Sequence, residues 1–247
     1  MKLSCILTAV NENSLYSDFI PLFIHTWKKL YPNVDIKIIF IINEIPKHLE
    51  IYESFFIIFK PLSNISTSFI AQYIRLLYPA LLEYDGGILI SDIDNIPMNR
   101  TYFTKNIETF TNNKWISLRD WKYNNMTSMC WHVAHNSLWK EVFNIHSLND
   151  IKLRIINKYK EINYLKNGWF TDQKDLYKYL EKWPKKKQDY IELKDKDTGY
   201  NRLCRLKINV NDKRLIHNIK NGIYSDYHCL RPMKTYQKIN QDIFNLL

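Results

Sequence analysis

Strand-like and helix-like stretches alternate through the first part of the chain, and this alternation constrains the fold more than any other feature. Residues 2–10 and 35–42 are almost continuously apolar, which is typical of strands covered on both faces. Between them, apolar residues recur at intervals of three and four from Phe19 to Leu30, the spacing of an amphipathic helix. After Pro46 a short helical segment leads to a third strand-like stretch, Ser54–Phe59. This order predicts an α/β fold with a mixed, mainly parallel sheet flanked by helices.

A second constraint is the stretch Asp85–Pro97, in which Gly86-Gly87 precedes a short apolar run and then Asp92-Ile93-Asp94. Residues two apart on an extended backbone point to the same side, so the two carboxylates can face one ligand. Paired oxygens suit Mg²⁺ or Mn²⁺, and such an ion can hold a phosphate. The pattern recurs at Asp195-Lys196-Asp197 after a Lys-rich stretch. We interpret that second copy as surface, because only the first copy follows a buried-strand pattern.

Polar residues also follow the first strand, at Asn11–Asn13. Ligands of open α/β sheets bind outside the carboxyl ends of the strands, near the point where the strand order reverses. The sequence therefore predicts that Asn11–Asn13 and Asp92–Asp94 face one site.

Net charge is unevenly distributed along the 247 residues. The whole chain carries +10, of which residues 1–120 contribute −1 and residues 121–247 contribute +11. A basic second half suits an anionic ligand, and it equally suits a solubilising lysine surface.

The remaining composition excludes several classes. Four cysteines lie far apart, without a Cys-x-x-Cys pair, which favours reduced thiols over a zinc site or a disulfide framework. Every apolar run is far shorter than a membrane span, and the N-terminus has no long apolar segment of the signal-peptide type. We therefore expect no membrane span and a cytoplasmic location.

Three pieces of the chain together resemble a known family. These pieces are Ala71-Gln72-Tyr73-Ile74-Arg75-Leu76-Leu77-Tyr78, Gly86-Gly87-Ile88, and Asp92-Ile93-Asp94 with Pro97. Their order is similar to that in the DXD-containing glycosyltransferases of families 32 and 8. The resemblance implies a Rossmann-like GT-A fold, a nucleotide-sugar donor and a divalent metal, usually manganese. It further implies a single domain over residues 1–247, with a nucleotide-sugar-binding half (1–100) and a C-terminal, acceptor-side half (101–247).

The resemblance also implies roles for particular residues. As metal ligands it implies Asp92, Asp94 and His228, with Asp92 meeting either the ribose or the metal. As donor-binding residues it implies Ala9, Asn11, Asn13, Gln72, Arg75 and Arg231. As residues near the sugar and the acceptor it implies Asp172 and Gln173.

Several of these assignments have ordinary structural alternatives. His228 competes with His217 as a ligand, and Arg231 could be a plain surface arginine. Asp172 and Gln173 are also what the N-terminus of a helix commonly carries. Two departures concern the donor, because family 32 usually has Asp at the position of Gln72 and family 8 commonly has Asp at that of Asn11.

The predicted activity is transfer of a sugar from a nucleotide-diphosphate donor to a glycan or protein acceptor, with Mn²⁺ or Mg²⁺ as cofactor. A UDP-sugar is favoured over a GDP-sugar, and retention of configuration is expected from the resemblance. The alternatives are a Mg²⁺-dependent nuclease and a basic nucleic-acid-binding protein. A nuclease would be expected to have a lysine or a further acid soon after the Asp pair, whereas Asn95-Ile96-Pro97-Met98 follows. We expect no nucleic-acid partner, and the sequence predicts no oligomeric state.

Overall fold

A computed structural model describes residues 1–162 and 168–247. The strands are β1 (Leu3–Asn11), β2 (Asp35–Ile41), β3 (Phe56–Phe59), β4 (Gly87–Ile90), β5 (Asn95–Pro97), β6 (Trp115–Ser117), β7 (Lys122–Tyr123), β8 (Met126–Thr127), β9 (His132–Ala134), β10 (Tyr190–Glu192), β11 (Arg202–Cys204) and β12 (Asp226–His228).

The α-helices of eight residues or more follow the expected alternation. They are α1 (Ile20–Leu30), α2 (Thr67–Ile74), α3 (Asn136–Phe143), α4 (Leu148–Glu161), α5 (Thr171–Lys182), α6 (Lys213–Lys220) and α7 (Met233–Leu246). A 3-10 helix of nine residues occupies Lys47–Phe55. Shorter helical turns, some of them 3-10, occupy Ser14–Ser17, Tyr78–Leu81, Tyr102–Lys105, Gly168–Phe170, Lys186–Asp189, Asp195–Thr198 and Arg205–Lys207.

In the described residues, the main sheet has seven strands in the order β10-β6-β9-β4-β1-β2-β3. β1 pairs in parallel with both β2 and β4, and β2 pairs in parallel with β3. β9 is the exception, because it runs antiparallel to β4 on one side and to β6 on the other. The predicted fold class, a mixed and mainly parallel sheet flanked by helices, is therefore confirmed.

Apolar layers cover both faces of this sheet. On one face, α1, α6 and α7 contribute to a layer in which the ring of Phe103 lies 4.5 Å from that of Trp131 and 5.2 Å from that of Trp27. On the other face, α2 to α5 contribute to a layer centred on Trp115 and Trp139, whose ring centroids are 4.2 Å apart. Strands covered on both faces must be apolar throughout, which explains the near-continuous runs of β1 and β2.

Gly86 is required where the chain enters β4. A Cβ atom at this position would collide with the carbonyl oxygen of Lys2 and with the hydroxyl of Ser4, both on the neighbouring chain segment. The Lys2 carbonyl cannot move away, because it accepts the N–H of Gly87 at 2.8 Å. The close approach of two backbones therefore sets the direction in which β4 delivers Asp92 and Asp94.

A second, three-stranded sheet joins the end of the chain to the Asp pair. β12 pairs antiparallel with β5, so that His228 lies opposite Asn95, and β11 pairs in parallel with β12. The N–H of Cys229 also donates to the carbonyl oxygen of Asp94 at 2.8 Å. These backbone bonds place residues 226–231 directly beside residues 92–97.

Some local sequence patterns differ from the structure. Residues 203–210 have the pattern of a strand, but β11 ends at Cys204, where the chain turns into a short 3-10 helix at Arg205–Lys207. The last part of the chain has the pattern of a polar tail, but after Pro232 it forms α7 and packs Ile243 into the core. In the described part of the chain, no helix has the length and apolar character needed to cross a membrane.

Candidate active site

A pocket of about 280 Å³ opens at the carboxyl ends of β1 and β4, where the sequence predicts a site. Its walls come from β1, α2, the turn after β4, the start of α5 and the segment after β12. Ten predicted residues line it: Ala9, Asn11, Gln72, Arg75, Asp92, Asp94, Asp172, Gln173, His228 and Arg231. The fold therefore gathers side chains from both ends of the chain into one cavity.

Arg75 connects two of the carboxylates. It is 6% exposed, at the end of α2, and its Nη1 donates to Asp92 Oδ1 and to the carbonyl oxygen of Ser91, the latter at 3.0 Å. Its Nη2 donates to Asp172 Oδ2 at 3.2 Å. A planar guanidinium has the donors to do this, whereas a lysine ammonium would not span both groups. Arg75 thus fixes α2, the Asp pair and the start of α5 relative to one another.

The two carboxylates that share Arg75 have very different proton affinities. Burial acts to raise the pKa of Asp92, but Arg75 and the thiol of Cys130 outweigh it and lower that pKa to about 2. Burial dominates at Asp172 and raises its pKa to about 7, although Arg75 pulls it down. Burial alone would lower the pKa of Arg75, but the negative charges of Asp92 and Asp172 outweigh burial and raise that pKa above its usual value. Asp92 is therefore ionised at neutral pH, while Asp172 is near its titration midpoint.

Asp94 is surrounded by basic side chains. Its Oδ2 lies 3.3 Å from His228 Nε2, 3.3 Å from Arg231 Nε and 3.9 Å from Arg205 Nη1. Asp94 is 3% exposed, and Oδ2 has no hydrogen-bond partner within residues 1–162 and 168–247. One carboxylate faces two guanidinium groups and an imidazole, so this wall of the pocket has an excess of positive charge.

The predicted metal ligands lie close together without forming a complete cluster. Among the residues that the structure describes, no three or more His, Cys, Asp and Glu side chains are arranged to hold a metal ion. Asp94 and His228 adjoin, whereas Asp92 accepts hydrogen bonds from Arg75 and, at 3.0 Å, from the thiol of Cys130. The set Asp92, Asp94 and His228 thus stays a prediction, as does the cofactor.

The two asparagines after β1 are in different situations. Asn11 is buried and its Nδ2 donates to the hydroxyl of Thr67 at 3.0 Å, while its Oδ1 accepts the N–H of Asn13 at 3.4 Å. Asn13 is exposed and caps the short helix that follows by accepting the N–H of Leu15. Asn13 does not line the pocket, so its observed contacts are those of a helix cap.

Gln72 connects α2 to the start of α5. Its Nε2 donates to the carbonyl oxygen of Trp169 and, at 3.4 Å, to Asp172 Oδ1. Its Oε1 is buried without a donor among the residues described. Gln72 therefore lines the pocket while its side chain joins α2 to the start of α5.

Asp172 lies at the N-terminal end of α5, as the helix-end alternative expects, but it is not the N-cap. Phe170 holds the N-cap position and makes no side-chain cap hydrogen bond. Asp172 lies in the first turn, 2% exposed, and its Oδ1 accepts the N–H of Gln173 at 2.8 Å. Buried carboxyls at a helix N-terminus are favourably placed with respect to the helix dipole, but here the side chain points to Arg75 in the pocket.

Three contributors were not predicted from the sequence. Arg205 reaches Asp94 from the turn after β11, Tyr16 accepts a hydrogen bond from Arg231 Nη1 at 2.8 Å, and Cys130 holds Asp92. Each belongs to a segment without a recognisable motif. The excess positive charge of residues 121–247 is the one sequence signal that pointed to a residue such as Arg205.

Comparison with known proteins identifies the fold. No protein-family model and no curated protein matches the sequence. Among solved structures, the galactosyltransferase LgtC in complex with donor and acceptor sugar analogs is similar over 98% of this chain and 96% of its own, with 12% identity and a TM-score of 0.52. An LgtC active-site mutant in which glutamine is replaced by glutamate is similar over 98% of this chain and 94% of its own, with 13% identity and a TM-score of 0.52.

The glycosyltransferase GlyE of Streptococcus pneumoniae TIGR4 is also similar, with 12% identity and a TM-score of 0.52. The match covers 99% of this chain and 63% of the GlyE chain. At such identities the likeness shows the fold. This chain therefore shares the mixed α/β fold of these glycosyltransferases.

Proposed function

We propose that this chain is a metal-dependent glycosyltransferase that moves a sugar from a nucleotide-diphosphate donor to a glycan or glycoprotein acceptor. A UDP-sugar is the favoured donor, with a GDP-sugar as the second choice, and the transfer retains the configuration at the anomeric carbon. The fold shared with LgtC, whose structure holds donor and acceptor sugar analogs, supports the reaction class. Retention and the choice of UDP rest on the resemblance of residues 71–97 to families 32 and 8.

One observation carries this proposal: separate segments bring carboxylates and cations together at the carboxyl ends of β1 and β4. Arg75 and the Asp pair come from the first half, and Asp172, Arg205, His228 and Arg231 come from the second half. Ligands of open α/β sheets bind at this place. A diphosphate needs cations, and a sugar needs hydrogen-bond acceptors, both of which this pocket presents.

The residues around Asp94 fit a divalent ion in part. Asp94 Oδ2 is a buried oxygen without a hydrogen-bond partner among the described residues, and it is 3.3 Å from His228 Nε2. Neighbouring ligands of an octahedral ion with bonds of about 2.1 Å are about 3 Å apart, which is close to this separation, and Arg231 Nε lies at the same 3.3 Å from Asp94 Oδ2. Oxygen and imidazole donors suit Mn²⁺ better than Mg²⁺. When bound, the ion would supply positive charge for the departing diphosphate.

The protein's own cations stabilise the same charge. When the bond between the anomeric carbon and the phosphate oxygen breaks, its electron pair leaves with the diphosphate. Arg205 and Arg231 face the pocket beside Asp94, where guanidinium groups stabilise developing phosphate charge. Since they are already held by Asp94 and, for Arg231, by Tyr16, little reorganisation is needed as the charge forms.

Asp172 and Gln173 occupy the part of the pocket beside Gln72 and Trp169. In this proposal Gln72 and Gln173 hold sugar hydroxyls, and Asp172 is the carboxylate nearest to the anomeric carbon. Arg75 keeps Asp172 in place through its Nη2. The acceptor hydroxyl then forms its new bond to the anomeric carbon on the face that the diphosphate leaves, and its proton passes to the oxygen of the departing diphosphate.

The test is a panel of nucleotide-sugars assayed for Mn²⁺-dependent hydrolysis without an acceptor, combined with thermal unfolding. UDP or GDP should raise the Tm only when Mn²⁺ is present. Asp94→Asn should abolish both the hydrolysis and the Tm shift. Asp197→Asn is the matched control, because Asp197 belongs to the other Asp-x-Asp sequence and is exposed. Absence of any nucleotide-dependent shift, together with tight, salt-sensitive binding of DNA, would instead support the nucleic-acid-binding alternative.

A further inference from the structure

Three exposed lysines occupy one side of α5, and we call this surface the basic face. It consists of Lys174, Lys178 and Lys182. The three lysines of α5 are four residues apart, a spacing that keeps them on one side of a helix.

The helices α4 and α5 lie side by side and run in opposite directions. Arg154 donates to the hydroxyl of Tyr179, and Lys158 Nζ lies 3.0 Å from Asp175 Oδ2. The first of these contacts joins an earlier residue of α4 to a later residue of α5, and the second does the reverse. α4 therefore flanks the lysine row of α5.

The lysines of the basic face differ from their neighbours in having no counter-charge. Lys158 and Lys185 are each within 3.0 Å of a carboxylate oxygen, and Lys186 also pairs with Glu181. Within the described ranges, none of the three lysines of the basic face has a carboxylate partner. The nearest exposed acid, Glu181, is paired with Lys186, outside the face. The basic face therefore presents three ammonium groups without a direct counter-ion.

The basic face begins at the pocket. α5 starts with Asp172 and Gln173 in the pocket wall, and Lys174 follows directly. At 1.5 Å per residue, the row from Lys174 to Lys182 extends about 12 Å away from that point. Trp169, which is 53% exposed, lines the pocket at the same end, and Phe170 beside it is 45% exposed. Aromatic rings at the pocket thus continue into a row of cations.

We propose that the acceptor is an acidic oligosaccharide, with uronate, sulfate or phosphate groups, whose chain lies along the basic face while its end enters the pocket. This rests on the proposed glycosyltransferase function. Trp169 and Phe170 offer flat apolar surfaces for sugar rings, and the lysines offer charges for the acidic groups. A single strand of nucleic acid would be expected to need aromatic rings interleaved with the cations, whereas here the exposed Trp169 and Phe170 lie together at the pocket end.

The test compares oligogalacturonate with its methyl ester, which has the same backbone without the charges, and extends to sulfated and phosphorylated oligosaccharides. Acidic oligosaccharides should bind more tightly than the neutral ester. With about three lysine contacts, the affinity should fall about twentyfold between about 50 and about 200 mM salt. Replacement of the α5 row (Lys174→Glu, Lys178→Glu, Lys182→Glu) should weaken binding by about tenfold or more.

A second triple variant is the matched control, because it changes the net charge by the same amount at a different surface. Lys213→Glu, Lys220→Glu and Lys234→Glu alter exposed lysines of α6 and α7 and should leave the affinity within about twofold, because they are outside the basic face. Equal binding of acidic and neutral oligosaccharides would refute the proposal, as would equal losses in both triple variants. Stronger binding of anionic lipid vesicles or single-stranded DNA than of any acidic oligosaccharide would also refute it.

Failure of this proposal can be distinguished from failure of the proposed function. Nucleotide-sugar hydrolysis by the unaltered protein, measured without an acceptor, reports the donor site alone. Hydrolysis without any preference for acidic oligosaccharides would overturn only the acidic acceptor. Binding of acidic oligosaccharides without hydrolysis of any nucleotide-sugar would leave the basic face as a carbohydrate-binding surface and would remove the glycosyltransferase.

Discussion

The unfolding free energy of the Asp172→Asn variant, compared with that of the unaltered protein at the same pH, should increase as the pH rises. Asp172 is 2% exposed, and burial raises its pKa from 3.8 to about 7 although Arg75 opposes this. Because the folded-state pKa is the higher one, the folded protein binds more protons than the unfolded chain between these two values. The stability that the carboxyl contributes is therefore complete below pH 3.8 and is lost as the pH rises through 7.

The size of the effect follows from the two pKa values. At about 1.4 kcal/mol per unit, the unaltered protein should lose about 2.5 kcal/mol of unfolding free energy from this group between about pH 5 and about pH 8. An asparagine is neutral at every pH, and it keeps an oxygen for the N–H of Gln173. The difference in unfolding free energy between the variant and the unaltered protein should change by this amount in favour of the variant.

Urea unfolding measured in EDTA at several pH values checks this expectation. Asp92 does not interfere, because its lowered pKa of about 2 means that its contribution is lost only as the pH falls from 3.8 towards 2. Other groups titrate alike in both proteins and cancel in the difference. Asp197→Asn, at an exposed position, should show no such trend. A difference between Asp172→Asn and the unaltered protein that stays constant within about 0.5 kcal/mol from pH 5 to pH 8 would refute the reasoning.

Two further predictions concern backbone packing and thiol exposure. Gly86→Ala should lower the unfolding free energy by about 1–3 kcal/mol, because the new Cβ would collide with the Lys2 carbonyl oxygen. A loss below about 0.5 kcal/mol in urea unfolding would show that the backbones at Gly86 and Lys2 are not tightly packed. Iodoacetamide should alkylate only Cys204 in the native protein, because it is the exposed cysteine and the others are buried. Mass spectrometry should show one adduct per native chain and four after denaturation, and several adducts on the native chain would contradict the burial.

The first half of the fold could be predicted because its strands are long and covered on both faces. β1 and β2 have nine and seven residues, which is enough for a continuous apolar run to be distinctive. In the second half, β6 and β9 have three residues each. The apolar stretches at 115–118 and 129–134 do indicate strands there, but strands this short have no periodicity that fixes their bounds. The antiparallel insertion of β9 between β4 and β6 is a tertiary pairing that local sequence does not encode.

The site residues that could be predicted from sequence are those that lie close to one another along the chain. Asp92 and Asp94 are adjacent in sequence and follow a recognisable strand, and Arg75 belongs to the same short segment of chain. Arg205 and Cys130 act on the Asp pair across more than thirty residues of chain. Only the paired backbones of the folded protein bring them there, so sequence spacing could not have indicated them, and the basic charge of the second half indicated a cation without identifying Arg205.

The pairing of β5 with β12 also determines how this protein could be recombined with its relatives. Asp94 and His228 face each other because Asn95 and His228 are partners in one ladder and because Cys229 binds the Asp94 carbonyl. The two strands therefore depend on each other to place Asp94 and His228, although more than a hundred residues of sequence separate them. A chimera with one crossover near residue 100 would divide this pair of strands between two parents. Libraries built on this fold should therefore exchange residues 92–97 and 226–231 together, through two crossovers rather than one.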